Sequence, residues 1–319
     1  MENKRLNYID FAKVFAMFIV TIGHCAQSIS GCTFPNLIIT KDLFISIHMP
    51  IFMIASGFVL NLDKIRAEKT SNFIISKFKR LIIPLIFWYL IYCIIATRMP
   101  TIYDMFTTYW YLSALFMSLL TIKFLTLIIS NNNIVALTAV FLILVLPYTD
   151  YAHLNYMLPF VLIGYYMKSF IKHINIYVCT TMLVLYFILY YFWDFNHSVY
   201  ITPFNILDFD KEMAISFIFR LAIGVIGAIS IIGIFKYFDN SQLIKKTSRF
   251  GKYTLVFYTM TTIINLVANK VITFLDLKIN DIIILDIASI VFALLSLWII
   301  YIFCKKFENN RKLSKILGL

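Results

Sequence analysis

Charge is what this chain has least of. Only 14% of its 319 residues are charged, against about 25% in a typical soluble domain. Hydrophobic residues make up 61% and the mean hydropathy is +0.85. A soluble protein of 37.3 kDa has no use for so much apolar surface, which excludes a cytosolic enzyme and a disordered chain. Cysteine is sparse. Cys25, Cys32, Cys93, Cys179 and Cys304 show no metal-ligand spacing, so no metal site is expected. Internal repeats are lacking, which weighs against a transporter built from inverted halves. Apolar and polar residues do not alternate along the long runs, which excludes a membrane β-barrel. The loops leave no room for a separate soluble domain, and residues 1–319 read as a single integral-membrane domain.

What is present is a series of continuous apolar stretches. Ten can be read, at roughly 8–27, 43–61, 81–97, 109–130, 134–147, 156–170, 176–193, 214–235, 253–275 and 282–304. They predict an all-α bundle of about ten transmembrane helices. The fifth and sixth fall short of the ~20 residues that a perpendicular span needs. The first contains Asp10 and Lys13 and no small-residue cleavage site, so it is expected to remain as a span.

The net charge of +12 is a topology signal. With the N-terminus in the cytoplasm, the inside segments hold twenty Lys and Arg residues, including Lys64 to Arg80 and Lys305 to Lys315. The outside segments hold only Lys41, Arg98, Lys211 and Lys278. Both termini are therefore expected in the cytoplasm, and no nucleic-acid partner is expected.

Ionisable residues within spans are costly and mark function more often than not. The first span, YIDFAKVFAMFIVTIGHCAQ, places Asp10, Lys13 and His24 on one stripe. Lys13 and His24 are 11 residues apart, about three turns plus ~20°. Facing lipid would cost ~2.5–3.5 kcal/mol per charge at the bilayer centre. The bland reading is a structural Asp10–Lys13 pair and a hydrogen-bonded histidine. In the second span, HMPIFMIASGF, His48 lies at a similar depth. Counted from the inner ends, His24 is ~25 Å up, His48 ~20 Å and Arg220 of the eighth span ~22 Å. These three suggest a site in the outer half. Pro50 and Ser56–Gly57 are expected to interrupt the second helix and line that site, or else to mark close packing. Arg220 has a structural alternative, as the partner of Asp286. At the cytoplasmic mouth, KFKRLIIP presents Lys77, Lys79 and Arg80, one turn from Lys13. This is either a solvated positive-inside loop or a phosphate-binding rim for an anionic cytosolic donor.

These residues resemble the acyltransferase 3 family of bacterial integral-membrane acyltransferases. Asp10, Lys13 and His24 are similar to its opening D-x-x-R/K … H motif. HMPIFMIASGF is similar to its second-span pattern, and KFKRLIIPLIFW to its basic-Leu-x-x-Pro segment. YWYLSALF, LPFVLIGYY and GKYTLVFY resemble later segments. Lys13 with His48-Met49-Pro50 most resembles the fucose O-acetylase-like branch. The resemblance implies a ten-span bundle in the bacterial inner membrane. It also implies O-acylation, most often O-acetylation, of a glycan or glycolipid of the envelope, with acetyl-CoA as donor. On that reading His24 acts as general base or transient acyl carrier and His48 polarises or relays. Lys13 and Arg80, with Lys77 and Lys79, hold donor phosphates, Arg220 stabilises an oxyanion, and Asp10 and Ser56 support. Two departures stand out. Lys13 replaces the arginine of many members, leaving a point charge where a fork would grip a pyrophosphate. Thr261 stands where relatives often carry a histidine. Two readings compete: a transporter or flippase of lipid-linked glycans, and a non-catalytic assembly protein.

Overall fold

The computed structural model describes residues 6–30, 46–145, 153–193, 197, 204–207, 209–275 and 281–319. Among these the chain is all-helical, with no strand. In chain order the helices are α1 (Asn7–Ser30), α2 (His48–Phe58), α3 (Leu62–Ala67), α4 (Thr70–Lys77), α5 (Ile83–Ala96), α6 (Ile102–Thr108), α7 (Trp110–Ile128) and α8 (Asn132–Val145). They continue with α9 (Leu154–Phe170), α10 (Ile176–Tyr191), α11 (Lys211–Tyr237), α12 (Gln242–Thr247), α13 (Thr254–Phe274), α14 (Ile282–Phe307) and α15 (Arg311–Leu317). A π-helical turn, Phe78–Ile82, joins α4 to α5, and a 3₁₀ turn, Ser248–Tyr253, joins α12 to α13.

Each of the ten apolar stretches contains a helix. Six helical segments are long and apolar enough to cross a membrane: Asn7–Ser30, Thr70–Ala96, Trp110–Ile128, Lys211–Tyr237, Gln242–Phe274 and Ile283–Phe307. Backbone polar groups find no partner in hydrocarbon, so a continuous apolar run must close its hydrogen bonds internally, as a helix. Polar side chains cap several helix ends. Asp210 accepts from the Met213 amide, Asp281 from Ile284 and Asn175 from Val178.

Two expectations need correcting. The charged 62–80 stretch, whose KFKR run reads as a solvated loop, is helical almost throughout. Lys123, fully buried, explains part of this: its ammonium donates to the carbonyls of Ile65 (2.7 Å) and Glu68 (2.6 Å), satisfying the open C-terminal end of α3. The second correction concerns α2, which Pro50 and Ser56–Gly57 do not interrupt. Pro50 sits in its first turn, where a missing N–H removes no intrahelical bond.

Gly57 serves close packing. A Cβ there would lie 1.8 Å from the Val161 carbonyl oxygen of α9, and one on Gly164 would lie 2.1 Å from the Ile54 oxygen of α2. The two helices meet backbone to backbone, as small residues allow between membrane helices. Gly57→Ala and Gly164→Ala should each remove most of the folded, monodisperse protein from detergent extracts. Gly23→Ala, with nothing within 4 Å of its added methyl, should not. Wild-type recovery of both α2–α9 variants by size-exclusion chromatography would show that this contact is not required.

Candidate functional site: a cationic cavity

Pro84 shapes the first element of the site. Its ring has no N–H and would clash with the carbonyl four residues back in a regular helix. The preceding turn widens, and the Ile83 amide bonds the Phe78 carbonyl five residues back. π-helical turns of this kind are rare and recur at functional sites. This one carries Lys79 and Arg80, both exposed, and follows Lys77, whose ammonium lies 5.1 Å over the Phe73 ring.

These side chains open into a cavity of about 1090 Å³. α1 contributes Asp10 and Lys13, whose carboxylate and ammonium are 3.7 Å apart. Asp10 is buried because the 3₁₀ turn seats directly on it: a Cβ on Gly251 would lie 2.7 Å from the Asp10 Cβ. α2 contributes Phe52 and Ser56. α7 contributes Tyr111 and an apolar wall of Leu112, Leu115 and Leu119. Phe52 and Tyr111 pack with ring centroids 5.3 Å apart. Lys252 enters from the 3₁₀ turn, and Lys312 and Lys315 from α15.

A latch ties the end of α14, just before α15, to the 3₁₀ turn. Glu308 accepts from Lys252 (2.7 Å), Lys305 (2.8 Å) and the Tyr253 hydroxyl. The Trp88 indole donates to the Leu317 carbonyl at 3.0 Å. Gly318 ends the helix at φ 87°, a left-handed conformation natural to glycine, and packs against Leu255 and Pro84. Asn310 caps the other end through the Lys312 and Leu313 amides.

The cavity thus gathers Asp10, Lys13, Ser56, Lys77, Lys79 and Arg80, and its lining does not include His24, His48 or Arg220. His24 projects from α1 about 16 Å beyond Lys13. It is exposed, with Nδ1 3.1 Å from the Gln27 amide oxygen. One turn further, Ser28 donates to the His24 carbonyl (3.1 Å) and the Asn265 carbonyl of α13 (3.2 Å). His48, half-buried, opens α2. Arg220 is buried in α11, its guanidinium 4.5 Å over the Tyr156 ring. Among the described residues no ion pair joins Arg220 to Asp286.

Several residues escape sequence reading. Lys252, Lys312 and Lys315 are legible only as topology markers, because a charge following a span reads as positive-inside whatever it touches. Tyr111 reads as one more membrane aromatic. His153 lies in the gap between two apolar stretches. It is buried at the start of α9 with φ 40°, and its ring meets Trp110 edge-on at 4.8 Å. Trp110 precedes the cavity-lining Tyr111, so this cluster adjoins the head of the cavity.

The chemistry available to the cavity is anion binding beside an apolar wall. Among the described residues no group of three His, Cys, Asp or Glu side chains is placed to hold a metal ion. Residues 6–304 match a family model, Acyl_transf_3, described as an acyltransferase domain. No curated protein and no solved structure matches the chain.

Three donors on one carboxylate make the latch resistant to acid. They hold the Glu308 carboxyl at about 2, below its ordinary 4.5. A depressed pKa contributes stability that is full above the unfolded value and is lost as pH falls through the folded one. Hydrogen exchange of residues 311–317 should therefore be the same at pH 8 and pH 5 after correction for intrinsic rates. It should rise in Glu308→Gln at both. A wild-type increase between those pH values would show that the ionised latch does not hold α15.

Proposed function

Because the chain belongs to the acyltransferase 3 family, we propose that it is a membrane O-acyltransferase, with a cytosolic acyl-CoA, most simply acetyl-CoA, as donor and a sugar hydroxyl of an envelope glycan or glycolipid as acceptor. The observation that carries the donor assignment is the convergence of cations from separate chain segments, Lys13, Arg80, Lys252 and Lys315 among them, on one cavity with an apolar wall. Phosphate oxygens are the complement of such a set. An uncharged pantetheine arm is the complement of the Leu112–Leu119 wall. In this reading all ten helical stretches cross a bacterial plasma membrane with both termini in the cytoplasm, which puts the cavity on the side where coenzyme A is found. Lys13 with His48-Met49-Pro50 favours the fucose O-acetylase-like branch.

The transfer itself needs a base for the acceptor hydroxyl. His24, exposed about 16 Å beyond Lys13 on the same helix, is the residue assigned to it. The hydroxyl oxygen attacks the thioester carbonyl carbon as its proton passes to His24. The C–S bond then breaks, and the thiolate leaves with a proton to give ester and free coenzyme A. An extended coenzyme A thioester has the length scale of that separation. His48 and Arg220, at similar depth, are assigned to relaying the proton and stabilising the oxyanion.

The assay is coenzyme A release from acetyl-CoA by purified protein in detergent, with and without candidate glycans. Arg80→Ala should weaken coenzyme A binding tenfold or more, since a charge-assisted contact is worth roughly 1.5–3 kcal/mol. Lys64→Ala, outside the cavity lining, should change it little. Equal, small effects would reduce the inner charges to topology markers.

His24→Gln provides the second test. Glutamine keeps a donor and an acceptor but cannot titrate. Transfer should fall by at least the roughly 10²–10⁴-fold typical of a positioned acid–base group, with coenzyme A affinity retained. A glutamine enzyme with most of its turnover would make His24 structural and end this mechanism.

A further inference from the structure

The donor reading leaves open what α15 is for. Most of the cationic set belongs to the bundle: Lys13 to α1, and Lys77, Lys79 and Arg80 to the α4–α5 junction. Lys312 and Lys315 belong to a separate seven-residue helix after the last long span. Three residues apart, they share one helix face, and both line the cavity. Among the described residues neither is within ion-pair distance of a carboxylate, whereas Lys13 and Lys252 are paired with Asp10 and Glu308. The seating of α15 is specific. It rests on the Trp88–Leu317 hydrogen bond and the left-handed Gly318 against Leu255 and Pro84, with Glu308 fixing the end of α14 just before it. A helix needed only for its positive charge would not require such docking.

Holding two like charges over an opening that Lys77, Lys79 and Arg80 already make positive is unfavourable unless an anion arrives between them. A coenzyme A thioester carries its negative charge in two places, the pyrophosphate and a separate phosphate on the ribose. The cavity's cations likewise fall into a bundle set and an α15 set. Resting on the donor assignment above, we propose that Lys312 and Lys315 of α15 bind the ribose phosphate of the acyl-CoA donor, leaving the pyrophosphate to Lys13, Arg80 and their neighbours. α15 is then a specificity element that favours coenzyme A over donors lacking that phosphate.

The test compares binding of coenzyme A and dephospho-coenzyme A, which lacks only the ribose phosphate, to the full chain in detergent. Wild type should prefer coenzyme A by tenfold or more. Lys312→Ala/Lys315→Ala should lose most of that preference by weakening coenzyme A alone, with dephospho-coenzyme A affinity within about threefold of wild type. Retained dephospho-coenzyme A binding also reports that the variant is folded. Lys315→Glu should reverse the preference through repulsion. If the double variant keeps the wild-type preference, or loses both ligands equally, the assignment of α15 is overturned while the donor reading stands. If wild type binds neither ligand, the donor reading itself falls and takes this assignment with it.

Discussion

Cationic crowding at one end of the bundle is the constraint around which the rest of the chain is arranged. Among the described residues, seven basic side chains, Lys13, Lys77, Lys79, Arg80, Lys252, Lys312 and Lys315, line the cavity, and Asp10 is the acidic one. Like charges at short range repel, more strongly beside apolar walls than in water. Carboxylates neutralise Lys13 and Lys252, through Asp10 and Glu308, and an aromatic face stabilises Lys77. The others face the opening. Local folding then follows from presenting them. The π-helical turn before Pro84 displays Lys79 and Arg80, Gly251 lets the 3₁₀ turn rest on Asp10, and the Glu308 latch keeps α15 beside the mouth.

Much of the architecture was legible because hydrocarbon leaves a chain few choices. Ten apolar stretches gave ten helical regions, and the polar caps at Asp210 and Asp281 fall within a few residues of the expected boundaries. The charged 62–80 segment was not legible as helix. Its helicity depends in part on a contact from distant sequence, Lys123 against the carbonyls that end α3. Lys123 itself, within an apolar stretch, carries no sequence signal of that contact. Buried among those carbonyls, it is a structural cation whose charge is spent on the backbone.

The candidate site was legible in part for a related reason. Asp10, Lys13 and the KFKR run stand out because charge at a membrane boundary is conspicuous, and helical periodicity fixes which face of α1 they share. Lys312 and Lys315 are as conspicuous, yet the positive-inside rule already accounts for them, so sequence assigns them no further role. Their placement depends on α15 folding back onto Trp88 and Pro84, a tertiary event with no local signal. His153 was hidden differently. Its left-handed backbone lets α9 begin where the apolar pattern does not. Buried beside Trp110, it belongs to the set of polar groups in the bundle whose chemistry the cavity does not explain.

The separation between that cavity and His24 follows from what a bilayer permits. In the proposed reaction the donor is anionic and cannot cross hydrocarbon, so its phosphates stop at the cavity mouth. A neutral thioester arm can continue along side chains such as Leu112, Phe52 and Ser56. In the reaction proposed above, His24 and Lys13 sit on the same helix, which ties the two ends of that reaction to one rigid element. α1 is well suited to that role. It is clamped near its N-terminal end by Gly251 against Asp10 and near its C-terminal end by the Ser28–Asn265 hydrogen bond. The distance from Lys13 to His24 is then set by helix geometry, and the proposed flexible donor would be measured against that fixed length.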